Sequence, residues 1–267
     1  MKALLLLIFI SLIVSSIKCQ NITINEVNKL YSSNEIDHAY TLTVDLLKFD
    51  SLNSELYNIK ARCEIRRNEP LKGLSSIRMS LKLDSNNIKN IIIAGVVFSY
   101  NDLIDSSAYY FNKALMIDSL NPIIYLNRGC TFYFHRANEL ALTDYNSALK
   151  LNPKDGYIYY NIALIYFDES DFFKAIEFLK KANNLELNDA EINYLLARCY
   201  YEVGSYKKSI RYFSKTQKHM KYYDKSNQIN IGYLYHYIGM AYILAGKIRQ
   251  GERYLSISSN IYGESSY

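Results

Sequence analysis

Tyr125-Leu-Asn-Arg-Gly129 leads into Ala141-Leu-Thr-Asp-Tyr-Asn-Ser-Ala148 and then Leu151-Asn-Pro153. Thirty-four residues further on the same grammar returns as Tyr159-Tyr-Asn-Ile-Ala163, Ala175-Ile-Glu-Phe-Leu-Lys-Lys-Ala182 and Leu185. A fixed period of this length, with an aromatic first segment and small residues at constant offsets, is the mark of a repeat architecture. Counting outward places repeat starts near residues 20, 54, 88, 122, 156, 190 and 232. The last is eight residues late, which assigns an insertion to 222–231.

The most telling position is a small residue that opens the second half of every unit. It is filled by Ala39, Gly73, Ser107, Ala141, Ala175, Ser209 and Gly251. Where two helices cross closely, a longer side chain would push them apart. The first half has its own small position, at Ala61, Gly95, Gly129, Ala163, Ala197 and Gly239. Three residues later comes a ring, at Phe98, Phe132, Tyr166, Tyr200 and Tyr242. The second unit departs from this, with Glu64 where the ring belongs.

This pattern resembles the tetratricopeptide repeat (TPR) family. The resemblance implies an all-α, right-handed superhelical solenoid of about seven helical hairpins covering residues 20–267. It is strongest from Ile88 to Thr216, and the first hairpin, Ile24 to Leu47, reads as a cap. In that family the second, fifth, ninth, twelfth and thirteenth residues of each hairpin line an inner wall that grips extended peptides. Carried over position by position, the wall here holds Ile92, Val96 and Tyr100, then Leu126, Tyr133 and Phe134. Tyr157, Tyr160, Leu164 and Phe167 follow, with Tyr194 and Tyr201 beyond them. Cys130 shares a wall position, and Glu55, Arg62, Arg66, Glu191, Arg198 and Glu202 supply charge at the flanks. The Lys, Asn and Arg clamp by which one subset of the family binds acidic carboxyl-terminal tails has no counterpart at these positions.

Composition agrees with a long helical protein. Only 3 prolines and 10 glycines occur in 267 residues, and 49% of the chain is apolar. There are 27 tyrosines and no tryptophan, which suits helix surfaces where a ring packs and a hydroxyl stays wet. The net charge is +5 with positive residues scattered, far from the basic stripe that phosphate binding demands. No nucleic-acid partner is expected.

The chain opens with Met1-Lys2, an apolar run from Ala3 to Val14, and Ser15-Ser-Ile-Lys-Cys-Gln20. A basic start, a short greasy centre and a small-residue end predict a secretory signal peptide over residues 1–19. The run falls short of the ~20 apolar residues of a transmembrane helix. The expectation is export to a periplasm, an envelope or the outside. Membrane association then requires that the leader stays uncleaved or that Cys19 is lipidated. Asn21-Ile-Thr23 is a glycosylation acceptor only in a eukaryotic source.

Cys63, Cys130 and Cys199 fall on first helices of different hairpins, two repeats apart. Disulfide pairing needs α-carbons within ~7 Å, so these are expected to stay free. No phosphate loop, nucleophile elbow or metal-spaced His or Cys pair occurs. Cys130 and His135 are five apart on a helix, and Asp168-Glu169 reads as a solvated turn pair. The sequence therefore points to no enzyme, no cofactor and no metal. It points to a scaffold that binds a protein or peptide partner through the apolar aromatic wall. The alternative is an accessory subunit of an envelope secretion or uptake complex, acting by its convex face or by 222–231.

Overall fold

The computed structural model describes residues 24–185, 190–220 and 231–264. The leader, with Cys19, and the insertion apart from Ile231 lie outside these residues. The described chain is helical throughout, with no strand among the described residues. Helix α1 is described over 24–32 and pairs with α2 (Ile36–Phe49). Then come α3 (Ser54–Arg66), α4 (Pro70–Leu83), α5 (Ile88–Ser99), α6 (Ile104–Ile117) and α7 (Pro122–Phe134). Helices α8 (Asn138–Leu151), α9 (Gly156–Asp168), α10 (Phe172–Asn184) and α11 (Ala190–Glu202) follow. The last are α12 (Tyr206–Met220), α13 (Ile231–Leu244) and α14 (Ile248–Glu264). Helices α3, α5, α7, α9 and α11 each begin 34 residues after the one before. The chain forms two compact units, up to Thr131 and from Phe132 onward.

Local chemistry sets the ends of these helices. Asn53, Asn87, Asn121 and Asp155 stand just before the first helices at the same 34-residue interval. Each side-chain oxygen accepts a backbone N–H of the first turn, at 3.0, 3.1, 3.1 and 2.9 Å respectively. Such acceptors satisfy donors that no helix can pair internally. Between the two helices of each hairpin the backbone turns through the left-handed region. The residues there are Asn34, Asn68, Asp102, Arg136, Ser170, Gly204 and Gly246, all with positive φ. Asparagine, aspartate and glycine tolerate that conformation, and the others adopt it at a cost.

In the unit up to Thr131 the hairpins close at a pinch. The Ser107 hydroxyl of α6 donates to the Gly95 carbonyl of α5 at 2.7 Å. A Cβ on Gly95 would come within 2.8 Å of the Phe111 ring. Between α3 and α4, a Cβ on Gly73 would lie 3.3 Å from the Ala61 carbonyl oxygen. Ser80, near the end of α4, reaches back to the Ser54 carbonyl at 2.8 Å. The core around these crossings is made of Leu56, Ile59, Ile77, Ile91, Val97, Phe111 and Ile124, all fully buried.

The unit from Phe132 repeats the device. The Ser209 hydroxyl of α12 donates to the Ala197 carbonyl of α11 at 2.8 Å. A Cβ on Gly251 of α14 would lie 2.7 Å from the Gly239 carbonyl oxygen of α13. Ala141, Ala163 and Ala175 are buried, as are Tyr145, Leu179 and Phe213.

Across several of the hairpins a pair of side chains twelve residues apart meets between the two helices. Phe98 stacks on Tyr110 at 5.1 Å between ring centroids, and Tyr166 on Phe178 at 5.6 Å. Tyr200 stacks on Tyr212 and Tyr242 on Tyr254, both at 5.5 Å. Offset stacking of this kind adds to simple area burial. In the second hairpin the pair is polar. Glu64 is 2% exposed, and the Ser76 hydroxyl donates to its Oε2 at 2.6 Å. Lys60 stands 3.7 Å from the other oxygen.

Candidate functional site

The wall positions of the first helices fall in both compact units. In the unit up to Thr131, Tyr100 is 49% exposed at the end of α5, while Val96 and Leu126 are half-buried. Ile92 belongs to the core. It is 7% exposed and clusters with Ile91, Phe111, Ala114 and Ile124. On an apolar first helix, a wall position and a core position carry the same residue type, and sequence alone does not separate them. Arg62, at the flank, covers the Tyr31 ring at 4.1 Å.

In the unit from Phe132, Phe134 and Tyr157 are 57% and 59% exposed. Tyr133, Tyr160, Leu164, Phe167, Tyr194 and Tyr201 are half-buried. Several of these rings are engaged with their neighbours. Phe167 meets Phe172 edge-on at 5.7 Å, and Tyr201 meets Tyr206 and Tyr237 edge-on at 5.7 and 5.6 Å. Tyr194 tilts against Phe213 at 6.1 Å.

The turn edge near Phe134 is stitched rather than merely wet. The Tyr133 hydroxyl donates to Asp168 Oδ2 at 2.8 Å, and Arg136 Nη1 donates to the same oxygen at 3.1 Å. Asn138 donates to Glu169 Oε1 at 3.0 Å. The Asp168-Glu169 pair thus ties the turn after α7 to the turn after α9. Burial, together with the carboxylate beside it, pushes the Tyr133 hydroxyl up to about 12. It therefore stays a neutral donor across the physiological range.

One charged residue read as a flank lies inside the aromatic cluster. The Arg198 guanidinium of α11 sits over the Phe167 ring of α9 at 5.0 Å and over the Tyr237 ring of α13 at 4.6 Å. Its position in the register is that of Leu164, so a wall reading was available from the spacing. Tyr237 lies beyond the break in the 34-residue period, which hid it.

Two of the cysteines are held unreactive by burial. Cys63 and Cys199 are buried, and burial pushes their thiols up to about 11 and about 12. Cys130 is half-buried and likewise in no disulfide. A thiol held so far above neutral supplies no thiolate nucleophile.

Comparison with known proteins places the fold. The family model described as "Anaphase-promoting complex, cyclosome, subunit 3" matches residues 132–216, under half of the chain. No curated protein matches the chain by sequence. Among solved structures, PilF of Pseudomonas aeruginosa superposes with a TM-score of 0.65 at 17% identity, covering 80% of this chain and 93% of its own. PilW, titled a widely conserved type IV pilus biogenesis factor, gives 0.62 at 18% identity, covering 75% and 90%. A chain of the APC/C hetero-tetramer Cut9–Hcn1 gives 0.64 at 15% identity over 87% of this chain, which spans 44% of that longer one. The fold is therefore that of the tetratricopeptide-type helical solenoids.

Proposed function

We propose that this chain is a non-catalytic scaffold that holds an extended segment of a partner protein along the aromatic wall of its first helices. The observation that carries this reading is the exposure of Phe134 and Tyr157, at 57% and 59%, with the half-buried Tyr160 and Leu164 following Tyr157 along α9. Large apolar rings left exposed favour being covered by a partner over being hydrated. If a segment covered ~400 Å² of apolar wall, the gross gain would be about 10 kcal/mol. Association and ordering costs of similar size leave a net affinity on the order of micromolar. A chain of the same fold forms part of the APC/C hetero-tetramer, in keeping with a scaffold role.

The test uses cross-linking and mass spectrometry from the native source to name the partner, then pull-down with Phe134→Glu and Tyr157→Ala. Both side chains are exposed, so the variants keep the fold. Recovery of the partner should fall by about tenfold or more if these rings lie among the few that dominate binding. Equal recovery from wild type and variants would move the site elsewhere.

A second reading, an accessory subunit of an exported assembly acting by the outer face, is favoured by α6. There Tyr109 and Met116 are 62% and 88% exposed. Met116→Glu would then abolish partner recovery while Phe134→Glu and Tyr157→Ala leave it intact.

A further inference from the structure

Arginine is expensive to leave without a counter-ion when its guanidinium is withdrawn from water. Arg67, mostly withdrawn from water, has Asp37 and Glu69. Arg198 has no carboxylate within ion-pair distance among the described residues. Its Nε lies fully buried and donates to no acceptor. What holds it is aromatic, namely the Phe167 ring from the hairpin before and the Tyr237 ring from the hairpin after.

These rings are themselves fixed. Phe167 is braced by Phe172, and Tyr237 by Phe213 and Tyr201. Rings stabilise a guanidinium through its faces, whereas its N–H donors point outward in its own plane. A guanidinium held by rings keeps its edge for a planar acceptor, and a carboxylate is the group that matches that edge with two parallel hydrogen bonds. The surroundings choose among anions. Glu202 lies one turn beyond Arg198 on the same helix, so a multiply charged phosphate would meet more repulsion than a single carboxylate.

We propose that Arg198, with Phe167, Tyr201 and Tyr237, forms the anion-reading position of the wall, and that it takes the side-chain carboxylate of an Asp or Glu in an otherwise apolar peptide segment. The proposal rests on the wall reading above and adds the chemistry of the partner. Three consecutive hairpins contribute to the position through α9, α11 and α13. Phe167 and Tyr201 are shared with the wall, so an acidic residue would be read in register with apolar neighbours.

The test is a selection of random twelve-residue peptides, displayed with a blocked carboxyl end, on the immobilised full chain. Enriched sequences should carry Asp or Glu at one fixed place among apolar and aromatic residues. An enriched peptide is then synthesised with a fluorescein label and a carboxyl-terminal amide. Replacing its acidic residue by the matching amide should weaken binding to wild type by roughly tenfold or more, the worth of a charge-assisted pair. The same replacement should have little effect on Arg198→Gln, because the two changes remove one interaction. Circular dichroism checks that Arg198→Gln keeps its fold. Should it unfold, Arg198→Lys replaces it, with an intermediate loss expected since a lysine lacks the planar fork.

Enriched apolar peptides with no fixed acidic place would overturn this proposal and leave the wall reading standing. So would acid and amide peptides that bind wild type equally, or that differ as much on the variant as on wild type. A selection that enriches nothing would count against both readings.

Discussion

The Ser107 hydroxyl and the Gly95 carbonyl oxygen meet at 2.7 Å across the α5–α6 crossing. Ser209 and Ala197 meet at 2.8 Å across α11–α12. Serine at this place is a small residue that also pairs with the facing backbone. Room for anything larger differs from hairpin to hairpin, which gives the first prediction. Gly251→Ala puts a carbon 2.7 Å from the Gly239 carbonyl oxygen and 2.5 Å from Ile243 Cγ1. It should destabilise by ~1–3 kcal/mol. Gly73→Ala meets its nearest atom at 3.2 Å, and alanine gains ~1 kcal/mol of helix propensity over glycine. Its net effect should be close to zero or favourable. Thermal melts of the two variants check the ordering, and equal losses would refute this account of the pinch.

Glu64 and Ser76 supply the second prediction. Ser76→Ala removes a buried donor to the Glu64 side chain and should cost about 1.5–3 kcal/mol. Replacing both partners, as Glu64→Met with Ser76→Ala, deletes the unsatisfied group as well. The double variant should recover most of that loss. Urea titration measures both, and a double variant weaker than Ser76→Ala would show that the polar pair is required for packing.

The third prediction isolates the backbone. Gly204 has φ of +73° and nothing within 4 Å of where a Cβ would stand. Gly204→Ala should therefore lose about 1 kcal/mol for conformational reasons alone. Ser170 holds the same place in the preceding hairpin with φ of 61°, so Ser170→Gly should gain a similar amount. Melting shifts of opposite sign for the two variants are the expected result.

The buried thiols give the fourth. In the native state Cys63 and Cys199 keep their protons up to about 11 and about 12, against 9.0 for an unburied thiol. Above pH 9 the unfolded chain releases protons that the folded chain still holds. Stability from these groups is thus complete below pH 9 and falls as pH rises toward the folded values. The slope is up to ~1.4 kcal/mol per pH unit for each thiol. Cys199→Ala should make the alkaline fall in stability shallower than in wild type. A thiol reagent at pH 8 should label Cys130 before Cys63 and Cys199, which should react only on unfolding.

How much of this was legible in the sequence follows from what each residue type is able to announce. The fold class was legible because a helix crossing excludes side chains, and Ala175 or Ser209 leaves that exclusion visible at a fixed interval. Turn conformation was only half written. Asn34, Asn68, Asp102 and Gly204 advertise the left-handed region, whereas Arg136 and Ser170 occupy it without being types that prefer it. The wall was blurred because Ile92 and Val96 are both apolar, and only the packed structure shows that Ile92 belongs to the core. Arg198 was visible as charge. Its rings come from hairpins on either side in the chain, and no local window contains all three residues.

The tyrosine pairs have an optical consequence. Tyr242 and Tyr254 stack within 5° of parallel, and Tyr200 and Tyr212 within 16°. Chromophores in such fixed registry couple, and their near-ultraviolet dichroism reports whether the two helices carrying them are still zipped. With no tryptophan to overshadow that signal, unfolding should be readable from the unlabelled protein, and Tyr254→Phe should remove the part that arises from the Tyr242–Tyr254 stack.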